Sequence, residues 1–187
     1  MRSIHLVFLL GLTILAACGS NNRNVEEDHV DPERSETAIV LEHQKVIQGL
    51  EDSLYDGNMK FKRRTASRVF DVYLAYAAEH PLDSLAPEYI FRAAQVSTGL
   101  DKNERAIKLY DRIIRNYPGW VKIPETRFMK GFTYDNHMDQ KGAAKQAYEE
   151  LIYEHPDHEL AAQAKQLIDN MQFSDEELIK KWKEENS

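Results

Sequence analysis

Residues 106–118, AIKLYDRIIRNYP, return 38 positions later as residues 144–156, AKQAYEELIYEHP. Ala106, Tyr110, Ile113 and Pro118 of the first copy become Ala144, Tyr148, Leu151 and Pro156 of the second. A third copy lies 37 positions upstream, with Val69, Tyr73, Tyr76 and Pro81 in the same places. Six residues beyond Pro81 and Pro118 stand Pro87 and Pro124, each followed by Glu. Phe91 and Phe128 follow at ten, and the small residues Ala94 and Gly131 at thirteen. Self-similarity at a period of about 20–50 residues marks an array of stacked units, none of which can bury its apolar face alone.

The periodicity within each copy is helical, with no sustained alternation of the kind strands show. Each proline stops a helix, because its ring excludes the residue before it from the helical region. Ala94 or Gly131 lets the first helix of a hairpin approach the second closely. Ala106 and Ala144 do the same from the other side, and Tyr110 and Tyr148 fill the space beside them. Asp101 and Asp139 suit N-caps of the second helices. Asp31-Pro32-Glu33 opens the first helix with a first-turn proline and an acidic turn. Its apolar stripe is Ile39, His43, Val46, Ile47, Leu50 and Leu54, ended by Gly57-Asn58. The spacing predicts helices near 33–56, 63–80, 87–99, 102–117, 124–136, 140–155, 158–172 and 174–186, the last opened by a Ser174/Glu177 capping box. Its narrow apolar face, Leu178, Ile179 and Trp182, either covers the open end of the array or docks a partner. The fold class expected is therefore all-α, a solenoid of about three helical hairpins plus a C-terminal capping helix.

Over roughly residues 62–172 this pattern resembles tetratricopeptide (TPR) repeats, in the long-turn form found in BamD-type outer-membrane assembly lipoproteins and in Tol–Pal coordinator (YbgF) proteins. The copy nearest the N-terminus departs from it, with Val69 where a small residue is usual. The resemblance implies a superhelix whose concave face is lined by the first helix of each hairpin. On that face it would place Glu88, Phe91 and Gln95 from one unit, and Glu125, Phe128, Phe132 and Asp135 from the next. Aromatic rings among carboxylates suit an extended peptide, since rigid rings anchor and acids orient basic side chains. The competing reading is that Phe91 and Phe128 simply pack between hairpins.

The N-terminus carries a second signal. Met1-Arg2-Ser3 is followed by an apolar core from Leu6 to Ala17, 12 residues long. A membrane-spanning helix needs roughly 20, so the core suits a secretory signal. Leu15-Ala16-Ala17-Cys18-Gly19 then resembles a bacterial lipobox, in which the cysteine is lipidated and residues 1–17 are removed. Cys18 is the only cysteine of the chain, which excludes an internal disulfide and any multi-thiolate metal site. Several acyl chains on one residue anchor stably where a single chain does not. Residues 18–35 are small and polar, then acidic, and read as a solvated tether to a domain at 36–187. By the same resemblance, Gly19 after the cysteine directs the protein to the outer membrane, with the periplasmic face the expected side.

Chemistry is otherwise scarce. The 31 acidic and 24 basic side chains give a formal charge of −7, which argues against nucleic-acid binding. No phosphate-cradling glycine loop or nucleophile elbow occurs, so neither an enzyme nor a cofactor is expected. Glu154-His155-Pro156-Asp157-His158-Glu159 is dense in metal-ligand types, but it falls on a repeat turn and lacks the one-turn His spacing of a helical site, so no metal is expected there. Lys60-Phe61-Lys62-Arg63-Arg64 reads as a solvated helix start. These readings combine into a lipid-anchored periplasmic scaffold that binds a protein or peptide partner in the cell envelope. Two alternatives are a structural subunit of a fixed outer-membrane complex and a protein that binds peptidoglycan fragments.

Overall fold

The computed structural model describes residues 32–58, 60–173 and 175–185. They form eight helices: α1 (Pro32–Glu51), α2 (Arg63–Glu79), α3 (Ala86–Gly99), α4 (Asn103–Asn116), α5 (Ile123–Met138), α6 (Lys141–Glu154), α7 (Glu159–Asn170) and α8 (Asp175–Glu185). The signal segment, Cys18 and the tether as far as Asp31 lie outside the described residues, as does Ser174 of the expected capping box. Residues 32–35, assigned above to the tether, form the first turn of α1. No helix among the described residues is long and apolar enough to cross a membrane.

The three repeat prolines act alike. His80, Tyr117 and His155, which precede them, share one non-helical backbone conformation, with φ −123°, −132° and −135°. Each still donates its N–H to the carbonyl four residues back, to Tyr76, Ile113 and Leu151. The helix therefore closes its last hydrogen bond and then turns out under the restriction imposed by the next residue.

Helices α2 to α7 pack consecutively, and α5 also touches α3 and α7, so the first helices of successive hairpins lie along one side. One core gathers α1 to α4 and the start of α5, with Ile47, Phe70, Tyr73, Tyr76, Ile90, Phe91, Tyr110, Ile113 and Ile123 among its buried residues. A second gathers Ala144, Tyr148, Leu151 and Ala164, with Phe128, Leu160, Leu167 and Ile168 packed against them. The small-against-large pairing inferred from the repeat is literal. Ala94, Ala106, Ala144, Tyr110 and Tyr148 have no exposed surface. A Cβ placed on Gly131 would lie 2.6 Å from Cε1 of the Tyr148 ring.

Two expectations need correction. Helix α1 stops at Glu51, five residues short of position 56. Ser53 Oγ takes up the Leu50 carbonyl (2.9 Å), and the chain folds into a small hairpin bridged at Tyr55 and Phe61. Asp56 holds that hairpin by accepting the N–H groups of Asn58 and Lys60 at 2.9 Å each. Those same two hydrogen bonds, from Lys60 and then from Asn58, keep its carboxyl below the ordinary aspartate range. Second, Asp101 and Asp139 are not N-caps, which are Lys102 and Gln140, neither with a side-chain cap. Both aspartates instead end the preceding helices in the left-handed conformation, at φ 60° and 50°. Lys102 N–H then reaches Ser97 O (2.8 Å) and Gln140 N–H reaches Tyr134 O (2.9 Å), satisfying carbonyls the helix leaves open. The hairpin is too short for a separate cap, and Asp tolerates the left-handed region better than most residues.

Gly131→Ala is expected to destabilise the protein by about 1–3 kcal/mol, because overpacking against the enclosed Tyr148 ring outweighs the gain of about 1 kcal/mol in helix propensity. Gly142→Ala, where a Cβ meets nothing within 4 Å, should be neutral or stabilising. Denaturant titration of both variants checks the sign.

Candidate partner-binding face

Glu88, Phe91 and Gln95 lie on α3, and Glu125, Phe128, Phe132 and Asp135 on α5, so the seven expected residues share the first-helix side. Their surroundings differ. Phe91 is 8% exposed, enclosed by Tyr110 and Trp120 with ring centroids 5.8 Å from each. It packs between hairpins and offers little to a partner. Phe128 is half-buried against Tyr148 (5.6 Å) and stacks on Phe132 at 6.5 Å, leaving an aromatic pair partly open. Glu125 and Asp135 flank that pair, both half-buried, and Gln95 is exposed.

Glu88 is already engaged. Its carboxylate accepts from Arg92 Nε (2.9 Å) and Lys122 Nζ (2.7 Å), and Arg92 also reaches Glu51 (2.7 Å). Glu51 in turn accepts the Tyr73 hydroxyl at 2.5 Å. Burial, then the hydrogen bond to Glu51, raises the Tyr73 phenol well above its ordinary range. For Glu88, burial opposes ionisation, but the hydrogen bonds from Lys122 and Arg92 outweigh it and hold the carboxyl below its usual value. The chain of alternating charges thus runs from α1 through α3 to the turn before α5.

Residues 88 and 92 stand one helical turn apart, so half of this network was readable in the sequence. Arg92 to Glu51 and Lys122 to Glu88 span 41 and 34 residues, and no local signal announces them. Beside the network opens a cleft of about 620 Å³, lined in part by Tyr55, Phe61, Tyr73, Arg92 and Gln95. Tyr55 and Phe61 come from the hairpin that replaces the end of the first helix, and for that reason sequence reasoning missed them.

Other charged groups serve the framework. The Arg127 side chain, 10% exposed, joins α5 through its guanidinium to Glu150 (3.1 Å) and Glu154 (2.6 Å) of α6. Lys130 joins α5 to Asp111 of α4 (2.8 Å). Arg63 in the basic run binds Asp101 (2.9 Å) and Leu100 O (2.8 Å), tying the start of α2 to the end of α3. In the 154–159 stretch, Glu154 is spent on Arg127 and His158 caps α7 by accepting Leu160 N–H at 3.2 Å.

The fold and this face define a helical-hairpin repeat scaffold. More particularly, the hairpins α3/α4 and α5/α6 match the tetratricopeptide repeat model, at residues 88–119 and 125–158. The chain thus carries TPR repeats, a fold that typically serves as a non-catalytic scaffold for protein–protein interaction. Among solved structures, the crystal structure of MamA matches at 18% identity, covering 85% of this chain and 99% of that one, with a TM-score of 0.37. No curated protein matches the chain at a significant level.

Glu88→Gln should lower stability by about 1 kcal/mol at neutral pH, charged hydrogen bonds being discounted for the partly exposed partners. A depressed carboxylate contributes fully above its unfolded value, about 4.3, and that contribution is lost as pH falls through the lower folded value. The wild-type advantage over Glu88→Gln should therefore be flat above about pH 5 and shrink below about pH 4, as read by denaturant titration across pH.

Proposed function

We propose that this chain is a lipid-anchored scaffold of the cell envelope, held through Cys18 in the outer membrane with its TPR domain on the periplasmic side. It holds an extended segment of a protein partner along the first-helix face. The observation that carries the reading is the stacked Phe128–Phe132 pair, left partly open on α5 between Glu125 and Asp135. Rings held rigidly by the core anchor a ligand at little entropic cost, and adjacent carboxylates favour basic side chains. Gln95 and the cleft beside Arg92 extend that face towards α1.

The tether supplies the mechanism. Confining the domain to a surface raises its effective concentration for partners on the same surface, without any new contact. The envelope setting rests on the Leu15-Ala16-Ala17-Cys18-Gly19 signal, and partner binding rests on the repeats.

Two measurements check the two halves separately. Cys18→Ala should move the protein from the membrane fraction to the soluble fraction of the cell; a chain that stays with the membrane overturns the lipid anchor. A photoreactive residue at Phe132 or Gln95 should trap one dominant partner in living cells, whereas the same probe at Lys108, exposed on α4, should not. Equal trapping at all three positions overturns the assignment of the face.

A further inference from the structure

Folding brings together three residues that the sequence keeps apart: His43 on α1, Glu79 at the end of α2, and His80 just beyond it. His43 Nδ1 lies 3.3 Å from His80 Nε2 and 3.5 Å from Glu79 Oε2. All three candidate ligand atoms fall within 4.8 Å of one another. Three lone-pair-bearing atoms therefore lie close together. The single Nδ1 of His43 faces both an imidazole nitrogen and a carboxylate oxygen. It has one lone pair or one proton to share between them, whereas a cation can be met by all three ligand atoms at once.

We propose that His43, Glu79 and His80 form a site for a divalent transition-metal ion, with Zn²⁺ the best fit to the ligand set. A tetrahedral Zn²⁺ with bonds of about 2.0–2.1 Å sets its ligand atoms about 3.3–3.4 Å apart, close to both short separations here. Two imidazoles and one carboxylate are ligands of the borderline type this ion takes, leaving one position for water. Room for it lies in a cleft of about 260 Å³ lined by His43, Tyr76 and Glu79 among others. The imidazoles are held for the task. Tyr76, 1% exposed, packs against His80 at 5.0 Å and against His43 at 6.4 Å between ring centroids. The site also lies at the C-terminal end of α2, where the unpaired carbonyls of the helix favour a cation.

The consequence is mechanical. Helix α1 packs on its neighbour more sparsely than any consecutive pair between α2 and α7. A metal bonded to His43 on one side and to Glu79 and His80 on the other clamps α1 onto the array. The helix so fixed is the one that continues the N-terminal segment into the domain.

The test is titration of Zn²⁺ into the chelator-stripped full chain in detergent, by calorimetry, with Co²⁺ absorption as a report on tetrahedral geometry. Expected are one ion per chain and a rise in thermal midpoint of about 5 °C or more at saturating Zn²⁺. His43→Ala and His80→Ala should each weaken binding at least tenfold and abolish the rise, and their midpoints in chelator show whether they fold. Glu79→Gln, a substitution at a largely exposed position that keeps the side-chain shape, should weaken binding about tenfold. His155→Ala/His158→Ala and Cys18→Ser should leave binding intact. The proposal is overturned if no ion binds, if His43→Ala binds as well as wild type, or if binding disappears with Cys18→Ser.

Discussion

The structure depends on one steric constraint, the seating of a buried tyrosine against a position with almost no side chain. In the α5/α6 hairpin the ring of Tyr148 occupies the space that a Cβ on Gly131 would need, 2.6 Å from that atom. This approach sets the distance between the two helices. It also fixes which faces of α6 remain to meet α7. Ala94 and Tyr110 repeat the pairing of types one unit earlier, both fully buried. Because each hairpin buries only part of its apolar surface internally, the next hairpin must complete it, and the array is held by a succession of such contacts. Burial pushes the phenols of Tyr110 and Tyr148 well above their ordinary range, as expected of rings enclosed on all sides.

On this framework the charges divide by direction. Arg127 and Lys130 point from α5 to the second helices and join layers within the array. Glu51, Arg92, Glu88 and Lys122 run along the first-helix side and link α1, α3 and the turn before α5. A network of partly buried, alternating charges contributes more to register than an isolated surface pair would. It also neutralises the acids at one end of the proposed binding face. On the first-helix side, the partly open aromatic surface lies on α5, in Phe128 and Phe132, with Tyr55 and Phe61 lining the cleft at the other end.

Apolar residues of the terminal helices stand open at the two ends of the array. Ile39 and Val46 of α1 are 49% and 50% exposed, and Ile179 and Trp182 of α8 are 55% and 65% exposed. Terminal units lack a neighbour on one side, so apolar stripes that would be core inside the array stand at its margins. Lys180 reaches Glu184 at 3.9 Å on α8, an exposed pair of the kind that adds little stability.

The sequence by itself determined the helices, their order and their repeat. Proline stops, small residues opposite tyrosines and 3.6-residue periodicity are local features, and each acts within a few turns of chain. It also holds the Leu15-Ala16-Ala17-Cys18-Gly19 stretch on which the proposed lipid anchor rests, and the fold class follows from the repeat. Tertiary structure decided the rest. It ended α1 at Glu51 because Tyr55 and Phe61 could pair across a turn held by Asp56, and it turned Asp101 and Asp139 from caps into left-handed helix ends. It put Phe91 under Trp120, joined Glu51 to Arg92 across 41 residues, and brought His43 to His80 across 37. Contacts at that separation depend on how hairpins stack, and the angle of stacking is set by packing volumes summed over many residues. No spacing along a single chain encodes that sum.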